Sequence, residues 1–386
     1  MKPPSAKNQK GVSQLISFVL CCAMWTAAHF AGAKPTYRVV HDEKGPWAVH
    51  IVEIDRADAS YQLAAALGGE TVYGREPLDA TVQRLTQQGR SVAAALNADF
   101  FERRNRPFDG DPDGLCVING ELVSEPMERA AFLILKDGSF RIAQARFSAS
   151  LHLDGRSRRI DGVNEACGEN GVVLYTSRFD DSSRPYASGV QLLAGPLGEP
   201  LQLGDSPALK VEAVLTGTGA FALTDGSIAL AGRGEGAAFL KQAAVGDSIR
   251  WECALNPPVE GVAHAVGGAF VLAKEGRSAD VLQEGSAPGF SDSFVKARHP
   301  RSAVGYNAET VFLVAVDGRQ PGYSVGMSLP ELAELMISLG ASEALNLDGG
   351  GSTTLWAEGK VQNRPSDGFP RPIANSLVLY RAPSSP

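Results

Sequence analysis

RSAVGYNAETVFLVAVDGRQPGYSVGMSLPELAELMISLGASEALNLD, residues 301–348, is the stretch that decides the fold. Ala303 to Tyr306 and Val311 to Val316 are short apolar runs joined by Asn307-Ala308-Glu309, the pattern of two strands around a tight turn. Ser328-Leu329-Pro330-Glu331 is a capping box with proline early in the first turn, and it opens a helix that Gly340 closes. Ala344 to Leu347 is a further buried strand. Strands flanking one helix, with turn-rich sequence elsewhere, predict an α+β fold built on a large mixed or antiparallel sheet with a few helices.

The same pattern extends outward. Ile373 to Tyr380 is a last strand, Pro77 to Gln88 a short helix, Val92 to Leu96 a small-residue buried strand, and Val49 to Ile54 an edge strand. Between Leu115 and Pro258 many short alternating runs, such as Ala131 to Leu135 and Lys210 to Leu215, are separated by Asp-Gly, Asn-Gly and Gly-rich turns. The 386 residues contain 42 glycines and 23 prolines, a turn content that suits strands better than a helical bundle. No internal repeat or linker divides the chain, so residues 34–386 are expected to form a single catalytic domain, most distinctive over 260–385.

Residues 1–33 have the order of a signal peptide. Lys2, Lys7 and Lys10 precede an apolar stretch from Leu15 to Ala28, and Ala31-Gly32-Ala33 fits the cleavage pattern. The stretch is short for a stable membrane span. The expected location is therefore periplasmic or extracellular. Loss of this segment leaves 33 basic against 43 acidic residues, a net charge of −10, which argues against nucleic acid as a partner. Cys116, Cys167 and Cys253 then remain, enough for one disulfide and one free thiol, at spacings that match no zinc or redox motif.

Two strands end alike. Val92 to Leu96 runs into Asn97-Ala98-Asp99, and Ala344-Leu345 runs into Asn346-Leu347-Asp348. Alternate residues of an extended chain share a face, so each Asn lies beside its Asp. Two such buried pairs are costly unless the groups are bonded or used. Gly349-Gly350-Gly351-Ser352 follows Asp348 and would let backbone amides approach an anion. A third strand runs into Asp317-Gly318-Arg319, and His299-Pro300-Arg301 precedes its neighbour; arginine suits a bidentate grip on phosphate. Asp109 to Gly114 resembles the opening of a calcium loop, but Gly120 stands where the closing Glu belongs, and an isolated acidic turn is the simpler reading. Gly322-Tyr323-Ser324-Val325-Gly326 matches the serine-hydrolase elbow only superficially, because no strand leads directly into Ser324 and no histidine follows it.

ALNADFF at 95–101, HPRSAVG at 299–305, VDGRQPGYSVGMSLPEL at 316–332, NLDGGGSTTL at 346–355 and NRPSDGFPRPIANSL at 363–377 together resemble the phosphodiester glycosidase family. Weaker similarity at 175–184, 219–240 and 265–272 extends the resemblance over most of residues 34–386. Arg301, Asp317, Asn346, Asp348, Gly349 to Ser352, Asn363 and Arg364 match the family pattern directly. Asn97 matches a segment from which Ala98 and Asp99 depart. The cysteine-rich modules of animal members have no counterpart here, so the resemblance is to the bacterial, exopolysaccharide-labelled branch.

The resemblance implies hydrolysis between a sugar's anomeric carbon and phosphate. A phosphate monoester, with a second pKa of about 6, leaves more readily than a sugar alcohol, so a cation matters more than a general acid. Arg301 and the Gly349–Ser352 amides are expected on phosphate, and Asp348 as base or nucleophile. Asp99 or Asp317 is the second carboxylate. Asn97 and Asn346, with Asn363 and Arg364, would contact the sugar and its substituents. No cofactor is required, although a divalent cation such as calcium is compatible. The partner is a glycan or sugar-1-phosphodiester. Two rivals stay open: a non-catalytic polysaccharide-binding protein of the envelope, and a metal-dependent phosphodiesterase. Mass spectrometry of the exported protein should find Lys34 as its first residue; a membrane-retained chain starting at Met1 would contradict the leader reading.

Overall fold

The computed structural model describes residues 34–43, 45–101, 109–144, 146–185, 188–279 and 290–382. The signal-peptide assignment lies outside the described residues. Among those described, no helix is long and apolar enough to cross a membrane.

Strands dominate and helices are few, as expected, but the strands form four sheets rather than one large one. The seven-stranded sheet sets the site. Its order is Thr36–Asp42, Trp47–Asp55, Thr310–Val316, Arg301–Tyr306, Glu343–Asn346, Val271–Lys274, Arg277–Ser278, antiparallel throughout. Thr36–Asp42 covers the edge that Val49 to Ile54 was expected to form. Its polar residues Thr36, Arg38, His41 and Asp42 leave only Val39-Val40 as an apolar run, too short to mark a strand.

Strand Thr310–Val316 is buried on both faces. Val311, Leu313 and Ala315 enter one core, whereas Phe312, Val314 and Val316 enter another beneath helix Leu329–Ser338. That helix starts at the expected capping box: Ser328 Oγ accepts from Glu331 N at 3.3 Å, and Glu331 Oε2 accepts from Ser328 N at 2.9 Å. Leu329, Leu332, Ala333 and Met336 face the sheet.

A five-stranded antiparallel sheet packs on the other side of the first core. It runs Lys360–Val361, Leu355–Ala357, Val92–Asn97, Asn375–Arg381, Tyr61–Leu67. Ala94, Leu96, Leu377 and Leu379 point inward, and Ala95 and Val378 meet Leu78, Val82 and Leu85 of helix Leu78–Gln87. Residues 116–256 contribute most of the remaining eight- and five-stranded sheets around a separate core that includes Leu151, Leu192 and Trp251. Among the described residues, one pairing in these two sheets is parallel, that of Gly162–Val163 with Val172–Tyr175.

Cys116, Cys167 and Cys253 are buried and free, so the one disulfide that their number allows does not form. Burial pushes the Cys116 thiol up to about 12 and the Cys167 thiol to about 11, keeping both protonated and unreactive. Ser324 is a loop staple, as expected: its Oγ donates to the Asp317 carbonyl at 2.5 Å and accepts from Ala48 N at 3.1 Å. Because the cap orients a helix that covers half the central sheet, Ser328→Ala should cost about 1 kcal/mol, measured by urea denaturation.

Candidate active site

The two Asn-x-Asp strand ends meet. Asp348 N donates to the Ala98 carbonyl at 2.8 Å, and Asn97 Nδ2 donates to the Asp348 carbonyl at 2.7 Å. Beside this junction lies a cleft of about 290 Å³ lined by Phe294, His299 to Arg301, Arg319, Asp348 to Gly351 and Arg371. Of the sequence-derived candidates, the structure brings Arg301, Asp348 and the three glycines to this cleft. Arg319, considered from sequence without a firm role, also lines it.

The glycines serve side chains more than amides. A Cβ on Gly350, whose φ is +62°, would sit 3.2 Å from Arg319 Nη2, and one on Gly351 would collide with Arg371 Nη2 and Asp367 Oδ2. Two guanidinium groups are thus laid directly against the loop. The amides are largely used internally: Gly349 N donates to Asp348 Oδ1, Gly350 N to the Pro300 carbonyl, and Ser352 N to the Gly349 carbonyl. An amide nest for phosphate, expected from the three glycines, is therefore not what this turn presents. Ser352 is buried, and its Oγ accepts from Arg371 Nη1 at 3.4 Å.

The cleft is cationic. Arg371 pairs with Asp367 at 2.7 Å, and Arg319 Nη2 approaches His299 Nδ1 at 3.4 Å. Arg319 has a left-handed φ of +60°, an uncommon conformation for a non-glycine residue that the surrounding loop must hold. Arg301 is 1% exposed. Its Nε donates to the Met327 carbonyl at 2.8 Å, and Nη2 donates to those of Phe294 and Ala297 at 2.6 and 3.1 Å. Burial, then the nearby Arg319, lowers Arg301 to about 10, so it stays charged near neutrality. Burial followed by Arg301 and Arg319 also lowers His299, favouring the neutral imidazole.

The other candidates lie off the cleft lining. Asp317, 1% exposed, accepts from Tyr323 Oη, His50 Nε2, Asn363 Nδ2 and Arg364 N, all at 3.0–3.1 Å. Asn363 also bonds the Thr353 carbonyl and Leu355 N, while the Arg364 guanidinium lies 4.4 Å over the Tyr323 ring. Asp99 is sealed, with its oxygens accepting from Phe100 N at 2.7 Å and Gly114 N at 2.8 Å. Burial, then Asp113, pushes its carboxyl well above the usual range. Asn97 Oδ1 accepts from Ser302 Oγ and Thr354 N, so both polar atoms of its side chain are bonded to protein. Asn346 is fully buried, and neither side-chain polar atom has a protein partner among the described residues.

Asp109 and Asp113 form ion pairs with Arg75 and Arg129, as an acidic turn does. Among the described residues, no group of three or more His, Cys, Asp or Glu is arranged to hold a metal ion.

Sequence reasoning gave no role to His299, Arg371 or His50. His50 had a visible signal, a lone histidine inside the apolar run 47–54; Arg371 sits in an aperiodic loop, marked only by the family-like segment 363–377.

The sequence model of the phosphodiester glycosidase family matches residues 210–380, which include every residue that lines the cleft. The family resemblance is thereby shown for this region. Two curated relatives are similar over shorter stretches. The SPbeta prophage-derived uncharacterized protein YomE of Bacillus subtilis is 36% identical over 86 residues, 22% of this chain and 13% of the relative. N-acetylglucosamine-1-phosphodiester alpha-N-acetylglucosaminidase of Bos taurus is 32% identical over 116 residues, 29% of this chain and 21% of the relative. The matched stretches thus span only 13% and 21% of these relatives' own lengths. Among solved structures, a Burkholderia pseudomallei K96243 protein provisionally named as exported shares the fold, with a TM-score of 0.72 at 23% identity over 87% of this chain and 74% of that one.

Gly351→Ala tests the reading of the turn. The added methyl should displace the Arg371–Asp367 pair while leaving the sheets intact. Calorimetry should show weaker binding of inorganic phosphate, and crystallography a shifted Arg371; an unmoved pair would refute it.

Proposed function

We propose that this protein is an exported glycosidase that hydrolyses the bond between a sugar's anomeric carbon and phosphate in a sugar-1-phosphodiester of an envelope or extracellular glycan. The observation that carries the reading is the convergence of Arg319 and Arg371, backed by Arg301, on a cleft whose wall includes Asp348. The bovine relative's name, a glycosidase acting on an N-acetylglucosamine-1-phosphodiester, supports the same substrate class. The sequence leader supports export.

In this mechanism the C1–O bond breaks and the electron pair leaves with the phosphate monoester. Arg319 and Arg371 take the departing charge, with Arg301 contributing its field from behind the wall. The leaving group's weak basicity removes the need for a strong general acid. Asp348 either deprotonates the attacking water or attacks C1 itself, the water then releasing the sugar. Asp99 and Asp317, whose carboxylates are each engaged by several donors, act as supports rather than as the second catalytic carboxylate. Asn97, Asn346, Asn363 and Arg364 support the cleft from behind its lining rather than contacting the sugar.

Asp348→Asn should keep the fold and lower turnover of a sugar-1-phosphodiester by roughly 10²–10⁴-fold. Affinity for the substrate should change far less, since a carboxylate repels phosphate. Arg371→Ala should weaken binding and turnover together. Single-turnover kinetics and calorimetry with a non-hydrolysable analogue separate these effects. Wild-type protein that binds such glycans without cleaving them would favour the polysaccharide-binding reading instead.

A further inference from the structure

A second feature lies behind the cleft. His50 is buried in the apolar strand Trp47–Asp55, where an imidazole is costly unless both nitrogens are bonded. Both are: Nδ1 lies 2.9 Å from Tyr37 Oη, and Nε2 lies 3.0 Å from Asp317 Oδ2. One tautomer closes the chain, with Tyr37 donating to Nδ1 and the Nε2–H donating to the Asp317 carboxylate. The Tyr37 and His50 rings also stack, 12° apart.

Asp317 then gathers two loops. On one side Tyr323 Oη donates to its carboxylate and Ser324 Oγ to its backbone carbonyl; on the other, Asn363 Nδ2 and Arg364 N donate to the carboxylate. Burial and the Asp317 charge push Tyr323 up to about 12, so it remains a hydroxyl donor. The first loop carries Arg319, two residues beyond Asp317, in its left-handed conformation. The second leads from Arg364 to Arg371. Gln320 Nε2 joins the loops through the Arg364 carbonyl at 2.8 Å. A fully bonded buried network of this kind rigidifies what it touches.

We propose that the Tyr37–His50–Asp317 relay is a positioning device that holds the Arg319 and Arg371 loops at the spacing needed to seat a phosphate. Tyr37 and His50 are positioning residues that act through Asp317, and neither touches substrate. The inference rests on the sugar-1-phosphodiester reading of the cleft. It adds that the phosphate seat is set from the first two strands of the fold, some 270 residues earlier in the chain than Arg319.

The test compares wild type with His50→Leu, His50→Gln and Tyr37→Phe by inorganic-phosphate calorimetry, steady-state kinetics on a sugar-1-phosphodiester, and crystallography. His50→Leu should weaken phosphate binding and raise KM roughly 10- to 100-fold, with a smaller fall in kcat. His50→Gln, which can still donate to Asp317, should recover most of that loss. Tyr37→Phe, at the partly exposed end of the relay, should give a milder shift in the same direction. A role in stability alone would lower the melting temperature and leave phosphate affinity of the folded protein unchanged. Should His50→Leu not fold, wild-type KM and phosphate affinity in both His50→Gln and Tyr37→Phe overturn the proposal. Wild type that neither binds phosphate nor turns over substrate defeats the reading of the cleft. Unmoved Arg319 and Arg371 guanidinium groups in folded His50→Leu, or in both milder variants, defeat the relay separately.

Discussion

The carboxamide of Asn97 joins the pieces on which the cleft depends. Its Nδ2 holds the Asp348 carbonyl, and its Oδ1 accepts from Ser302 in the seven-stranded sheet and Thr354 beside the five-stranded one. Three bonds from one buried amide fix where two sheets meet, at the point where their strands stop. A buried amide is tolerable only when satisfied, so the junction has little freedom to slide. Apart from Phe294, on the short helix Asp292–Lys296, what lines the cleft hangs from segments leaving this junction or the adjacent ends of Thr310–Val316, Arg301–Tyr306 and Asn375–Arg381.

The glycines after Asp348 follow from that constraint. With Asp348 pinned to Asn97 and Ala98, the chain turns at once against Pro300, leaving no room for side chains on its inner surface. Gly350 and Gly351 give that room to Arg319 and Arg371 instead. Arginines drawn from distant segments thereby reach one wall, and the backbone supplies shape while the side chains supply charge.

Much of this was legible in the sequence, and the gaps have physical causes. Apolar strands ending in Asn97-Ala98-Asp99 and Asn346-Leu347-Asp348 announced their convergence, because two buried polar pairs need a shared reason. Arg301 and the Ser328 cap were readable from local pattern alone. Glycine, however, records only that something comes close, and a guanidinium looks the same as a ligand in sequence. Thus the turn read as an amide nest. The three cysteines could be counted but not paired from sequence, which does not give the distances between them. The eight-stranded sheet depends on pairings such as Arg146–Leu153 with Ser248–Asn256, about a hundred residues apart, which no local period specifies. Asp99 and Asp317 had the right residue type, yet each spends its oxygens on protein donors, a property visible only once those donors are in place.

An acidic chain has placed three arginines around one small cleft, where they disfavour each other: Arg319 helps lower Arg301, and both lower His299. Like charges held together in the folded state oppose folding, and Asp367 offsets only Arg371 directly. Arg301 relieves its own burial with three backbone carbonyls rather than a carboxylate. A carbonyl satisfies the donors without cancelling the positive charge, so the field in the cleft survives. That arrangement suits a site where negative charge develops on the departing group. In the proposed reaction the dipoles and cations would already be in place before the bond breaks, with no reorganisation required when it does.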